Sequence, residues 1–301
     1  MGQLFSPGKL LLTSEYTVLD GALALAVPTK LGQEFFFESN DNAKSEVVWE
    51  AYHQGKLWLY AKINYQTWEI LDSNLEQPAA FVVKVLQAVQ QLSSKVFQAD
   101  ESYFLKTNLQ FPADYGLGSS STLMNNLADW AEIDAYELNE LSLGGSGYDI
   151  AVAKEKSAIL YQITGQQRRV EAIQYKPSFK DELIFIHLNQ KQDSREGIQL
   201  YRSKEKSQQL IDEFSELTKA VIKAQDLENF SQLMTLHEAK LSDFLGIPTV
   251  KEKYFENCPV FVKSLGAWGG DFVMSAKFSG FKDYFSGKGF QRIFSWSDLI
   301  S

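Results

Sequence analysis

The sequence predicts an α+β fold, with strands and helices gathered in separate stretches instead of alternating as βαβ units. Three observations predict it. Short β-like segments fill the chain up to about Ser73. Long helical patterns with charged faces begin at Ser194. Two late strand patterns, "VFVKSL" and "DFVMSAKF", bracket a glycine-rich turn, "GAWGGD".

In chain order, "KLLLTSEYTVLDG" and "ALALAV" read as apolar strand runs separated by the turn dipeptide Asp20-Gly21. "QEFFFES", "EVVWEAY", "LWLYAKI" and "TWEILDS" continue the pattern as a mostly antiparallel sheet. "AAFVVKVLQAVQQLSS" changes period: Phe81, Val82, Val85, Leu86 and Val89 share one side of a helix. "YFLKTNLQF" returns to strand. Helices are expected from Ser120 to Glu132, from near Asp134, and around Gly147 to Lys154. "AILYQI", "RVEAIQY" and "LIFIHLN" are strands. "SREGIQLYRSK", "SQQLIDEFSELTKAVIKAQ" and "LENFSQLMTLHEAKLSDFL" are helices, and a short helix and the strand "FQRIFSW" close the chain. A boundary near Lys180 divides residues 1–180 from residues 181–301.

Composition excludes several functions. The chain has 301 residues and a net charge of −9, against a nucleic-acid partner bound by phosphate neutralisation. A small anionic ligand stays open, because it responds to local charge. A single cysteine, Cys258, excludes an intramolecular disulfide framework and suits a reducing cytoplasm. His53, His187 and His237 are far apart in sequence, against a structural zinc site. No apolar run has the length of a membrane span. "MGQLFS" fits a myristoylation pattern, yet Pro7, Gly8 and Lys9 follow at once, and a first β-strand is the preferred reading.

The chemistry concentrates in three glycine-rich spots: Pro7-Gly8-Lys9, Gly116 to Ser121, and Gly266 to Gly270. Neither the P-loop nor the dinucleotide signature is present. In "FPADYGLGSSSTLMNNLADWA" glycines and serines stand where a helix must begin. A helix start has unpaired N–H groups and a partial positive charge. Gly116 and Gly118 let a phosphate approach the backbone, and Ser119, Ser120, Ser121 and Thr122 add hydroxyls. The plainer alternative is one serine capping the helix. Asp149 in "GGSGYDIAVA" is either a helix N-terminal carboxylate or a partly buried general base. Lys9, near the start of an apolar strand, says little alone. "NQKQDSREG" offers Lys191, Ser194 and Arg195 to a phosphorylated acceptor, or is a capped strand-to-helix connection.

Taken in order, these pieces resemble the GHMP kinase superfamily. "PGKLLLTSEYTVLDG" is similar to its first motif, with Ser14 in place of the usual glycine. "GLGSSST" is similar to its phosphate-binding loop, and "SGYDIA" to the aspartate segment of the mevalonate and phosphomevalonate kinase branch, in its GYDIA-type subgroup. "LGAWGGDF" resembles the third motif, with Trp268 and Asp271 as departures.

The resemblance implies an N-terminal domain like domain 2 of ribosomal protein S5 and a ferredoxin-like C-terminal domain, with the active site between them. It implies ATP and Mg2+ as cofactors, a mevalonate- or phosphomevalonate-like acceptor, and a monomer or homodimer in the cytoplasm. By motif match Gly116, Leu117, Gly118, Ser119, Ser120 and Ser121 hold the ATP phosphates, and Ser120 binds magnesium. Asp149 is the catalytic base and Lys9 its cationic neighbour. Ser194, Arg195, Gly266, Ala267 and Gly269, with Lys9, face the acceptor. A glutamate often completes the metal site; Glu137 and Glu140 are offered, with Glu140 preferred, though the segment from Gly118 to Asp149 is shorter than usual. An ATP-dependent decarboxylase and a non-catalytic ligand-binding protein share the fold and stay open.

Overall fold

The computed structural model describes residues 1–42, 44–97, 101–165, 167–190, 194–266 and 268–301. It divides into two compact units, and neither is one run of chain. The first comprises Met1–Gly8, Leu31–Ala113 and Leu117–Lys156. The second comprises Lys9–Lys30, Asp114–Gly116 and Ser157–Ser301.

The strands of the first third are β1 (Gly2–Leu11), β2 (Ala24–Asp41), β3 (Glu46–His53), β4 (Lys56–Asn64) and β5 (Glu69–Ser73). Helix α1 (Glu76–Leu92) and strand β6 (Glu101–Leu109) follow. After them come helices α2 (Ser119–Ala131), α3 (Ala135–Ser142) and α4 (Tyr148–Glu155). In the first unit the strand order is β5-β4-β3-β6-β2, with β1 on β2. β2 with β6, β3 with β4 and β4 with β5 pair antiparallel, and β3 with β6 pairs parallel. Alternation in β3 sends Val47, Trp49 and Ala51 inward, and α1 meets that face with Ala79, Val82, Val85, Leu86 and Val89. Asp134 starts α3 by accepting from the amides of Tyr136 and Glu137.

The second unit contains β7 (Ala158–Thr164) and β8 (Gln167–Ile173), with β7 paired to Ala24–Ala26 of β2. Next are β9 (Leu183–His187), α5 (Ser194–Arg202), α6 (Gln208–Lys223), α7 (Leu227–Leu245) and α8 (Val250–Tyr254). The chain ends with β10 (Val262–Leu265), β11 (Phe272–Ala276), α9 (Phe281–Gly287), β12 (Ile293–Ser295) and α10 (Trp296–Leu299). A four-stranded antiparallel sheet has the order β10-β11-β9-β12. Ser207 caps α6 and Asp226 caps α7, whose end is closed by Gly246 in the left-handed conformation.

Two early elements differ from expectation. The run "KLLLTSEYTVLDG" is not one strand: β1 stops at Leu11, and Thr17–Asp20 form a 3-10 turn. Ser14 and Tyr16 have φ of 63° and 61°, which no strand accommodates. Conversely "ALALAV" and "QEFFFES" belong to one strand of 18 residues. Gly32 lies in its middle, where a Cβ would fall 2.2 Å from the Ser6 carbonyl oxygen. Gly2 is part of β1, in keeping with the strand reading of the first residues. Among the described residues no helix is long and apolar enough to cross a membrane.

Because β1 crowds β2 at Gly32, Gly32→Ala is expected to destabilise the protein by about 1–3 kcal/mol. A urea titration of both proteins measures it. Unchanged stability would mean that the contact of β1 on β2 yields easily there.

Candidate active site

Two buried residues, Tyr115 and Leu117, flank Gly116 within the stretch from Phe111 to Ala131. Tyr115, in the second unit, packs its ring 4.4 Å from that of His187, with the Arg292 guanidinium 5.4 Å from the Tyr115 ring centroid. Leu117, in the first unit, is fully buried. Between these anchors Gly116 has a φ of 67°, and Gly118 follows with 84°. Both values favour glycine.

The plain-cap alternative for the serines is overturned. The residue at the N-cap of α2 is Gly118, and no side chain caps the helix. The Ser121 hydroxyl turns back to donate to the Gly118 carbonyl at 2.8 Å. Thr122 is fully buried. The hydroxyls of half-buried Ser119 and exposed Ser120 make no hydrogen bond among the described residues. The start of α2 thus presents backbone amides and two available hydroxyls, the donor set of an anion site.

Lys9 is buried, and its Nζ donates to the Gly116 carbonyl at 3.1 Å. The loop backbone therefore rests on an ammonium. Its other neighbour is Asp271. A Cβ on Gly116 would fall 2.0 Å from Asp271 Oδ2, and one on Gly266 would fall 2.9 Å from the same atom. The two glycines make the space that this carboxylate fills. Trp268, the other departure in the third glycine stretch, is a core residue beside Tyr16, Tyr201, Leu241 and Leu245. Its amide donates to the Tyr16 hydroxyl at 2.7 Å. The Gly269 amide donates to Ser264 Oγ at 3.0 Å, and its carbonyl accepts from Gln190 at 2.7 Å. Gly266 and Gly269 both have positive φ, so the turn is built and anchored. Ala267 and Lys191 lie outside the described residues. Ser194 and Arg195 begin α5, and their side chains are likewise outside what is described.

Asp149 stands in the first turn of α4, two residues after Gly147, whose φ is 84°. It is half-buried, and α4 packs against α2. Glu137 and Glu140 are on the exposed side of α3. Among the described residues no group of three His, Cys, Asp or Glu side chains has the geometry of a metal site. A magnesium ion held by one hydroxyl and the oxygens of a bound triphosphate fits this donor set; a fully protein-ligated ion does not.

A buried ionic cluster lies around Ser14, Glu15 and Tyr16. Lys263, fully buried, is 2.6 Å from Glu15 and 3.4 Å from Glu238. The Ser14 amide donates to His237 Nε2 at 2.7 Å. That bond leaves the imidazole proton on Nδ1, and the ring is neutral. Burial holds the His237 pKa well below the ordinary value, aided by the Lys263 charge. Burial also raises the Glu15 carboxyl and pushes Glu238 up to about 7, against the lowering pull of Lys263. Two carboxylates share one ammonium, so the cluster keeps a proton. Sequence reasoning missed this feature. Its signal was a lysine in the middle of the apolar strand "VFVKSL".

No family model matches the chain, and no curated protein matches it in sequence. Solved structures do match in fold. Mevalonate kinase from L. major, in complex with R-mevalonate, is 15% identical over 98% of this chain and 95% of its own, with a TM-score of 0.71. Streptococcus pneumoniae phosphomevalonate kinase, in complex with phosphomevalonate and AMPPNP, is 15% identical over 98% of this chain and 100% of its own, with a TM-score of 0.70. Lactococcus lactis galactokinase, complexed with galactose, is 14% identical over 97% of this chain and 92% of its own, with a TM-score of 0.66. The chain therefore has the two-domain α+β fold of GHMP kinases. Identity at this level carries the fold alone.

The cluster makes stability depend on pH. Glu238 releases its proton near 7 in the folded chain. In the unfolded chain it does so near the ordinary glutamate value of about 4.3. Between these values the folded state holds the extra proton, so stability falls as pH rises and levels off once Glu238 is ionised. Neutral His237 acts in the opposite sense, and only below the ordinary histidine value of about 6.5. Denaturant titrations between about pH 6.5 and 8 are expected to show declining stability, and Glu238→Gln to flatten the decline. An equal slope in the glutamine variant would place the buried proton elsewhere.

Proposed function

We propose that the protein is an ATP-dependent small-molecule kinase that transfers the γ-phosphoryl group to a mevalonate- or phosphomevalonate-like acceptor, within the GYDIA-type subgroup of GHMP kinases. The observation that carries the reading is the uncapped start of α2, with two left-handed glycines before it and the free hydroxyls of Ser119 and Ser120. The shared fold with kinases of mevalonate, phosphomevalonate and galactose supports it.

In this reading the backbone of Gly116 to Ser121 holds the β- and γ-phosphates of ATP. Leu117 contributes only its backbone, because its side chain is buried. Ser120 is the hydroxyl ligand of magnesium, and Glu140 is the weaker candidate for a second one. Bound magnesium supplies charge neutralisation on the phosphate oxygens. The protein's own part in such a transfer is mainly positioning and charge stabilisation.

An alcohol acceptor has a high pKa, so a base assists as its oxygen attacks phosphorus. Asp149 is assigned that proton. Lys9 is assigned to the acceptor oxygen, where an ammonium steadies developing negative charge. The hydrogen bond from Lys9 to the Gly116 carbonyl fixes the side chain for that role. Ser194, Arg195, Gly266, Ala267 and Gly269 are assigned to the acceptor. Residues 1–180 are assigned to ATP and residues 181–301 to a ferredoxin-like domain. A cytoplasmic monomer or homodimer completes the proposal.

A coupled ADP-release assay with magnesium, run over mevalonate, phosphomevalonate, homoserine and galactose, tests the reading. ADP release with one of the first two and no carbon dioxide is expected. Release of carbon dioxide with inorganic phosphate would make the protein a decarboxylase instead. Asp149→Ala is expected to lower kcat by about 100-fold or more, with the nucleotide KM nearly kept. Equal turnover would remove Asp149 from the mechanism.

A further inference from the structure

Helix α2 turns a polar stripe toward the interior of the first unit. Thr122, Asn125 and Asn126 have the i, i+3, i+4 spacing of one helix face, and all three are fully buried. The Thr122 hydroxyl lies 2.9 Å from Gln33 Oε1 and 2.9 Å from the Ser119 carbonyl, sharing one proton between them. Asn126 donates to the Gln33 carbonyl at 2.9 Å. Ser6 Oγ donates to Asn126 Oδ1 at 2.9 Å and accepts from Asn125 Nδ2 at the same distance. Ser6 belongs to β1 and Gln33 to β2.

Apolar side chains would fill these positions without desolvating amides and hydroxyls. Elsewhere the same helix does so with Met124, Leu127, Ala128 and Ala131. Apolar contacts tolerate sliding and rotation, whereas a set of short, directional bonds allows one axial position. The polar face therefore specifies where α2 begins relative to β1 and β2.

We infer that Ser6, Gln33, Thr122, Asn125 and Asn126 form a buried clamp that positions the start of α2 for nucleotide phosphate. The inference rests on the proposed kinase reading. These are positioning residues and touch no substrate. Thr122 is the nearest of them to the phosphate loop, because its hydroxyl also holds the Ser119 carbonyl of the first turn.

Thr122→Val keeps the shape and removes both bonds. Thr122→Ser keeps the hydroxyl. Ser6→Ala removes the other end of the clamp and serves if the valine variant does not fold. Each is titrated calorimetrically with AMPPNP and magnesium, beside thermal unfolding and the acceptor KM. Thr122→Val and Ser6→Ala are expected to weaken AMPPNP binding, the former by about tenfold or more, with the acceptor KM unchanged. Thr122→Ser is expected to restore binding. Lower thermal stability with unchanged AMPPNP affinity in both variants would overturn the clamp and leave the kinase reading standing. No AMPPNP binding by the unsubstituted protein would overturn the kinase reading, and the inference with it.

Discussion

A helix that begins without a side-chain cap is the constraint on which the account depends. Four N–H groups at a helix start need acceptors. In α2 three successive serines were available to supply one. None does: Gly118 takes the N-cap position, Ser121 folds back on its carbonyl, and the hydroxyls of Ser119 and Ser120 make no hydrogen bond among the described residues. Capping side chains typically contribute about 1 kcal/mol, so leaving the start open forgoes stability that one serine could have provided. A ligand with strong acceptor oxygens is the physical complement of such an end.

The residues just before α2, Asp114–Gly116, belong to the second unit and are held within it. Tyr115 ties the chain to the sheet of β9, β11 and β12 through His187, Phe272 and Phe294. Lys9 holds the carbonyl of Gly116, and Asp271 occupies the space that a side chain at Gly116 would need. The third glycine stretch is in turn pinned by Trp268, whose amide bonds to Tyr16. Tyr16 lies next to Glu15, and Glu15 is paired with Lys263 in the buried cluster. Segments from opposite ends of the chain thus form one packed construction. Within it Lys263 lies between Glu15 and Glu238, and a buried charge left unpaired would be costly.

Much of this was legible in the sequence, and the rest was hidden for identifiable reasons. Period and turn residues located most strands and helices, including the hairpin of β10 and β11 around the third glycine stretch. They failed at Ser14 and Tyr16, where tertiary hydrogen bonds hold non-glycine residues at positive φ. They also divided β2 into "ALALAV" and "QEFFFES", because only pairing partners show that the strand continues. In the site, "GLGSSST" left an anion loop and a plain cap both open, and only the fold shows that no side chain caps the helix. Trp268 and Asp271 looked like damage to a glycine motif. Their roles depend on Tyr16, Gly116 and Gly266, which no local window brings together. The polar stripe of α2 was unreadable for the same reason, since asparagines on a helix suggest solvent until Ser6 and Gln33 are placed against them.

Amide hydrogen exchange followed by mass spectrometry, with and without magnesium and ATP, tests the central claim most directly. The account predicts slowed exchange over residues 116–122 and no change across α6 and α7. Protection elsewhere with none over residues 116–122 would contradict it.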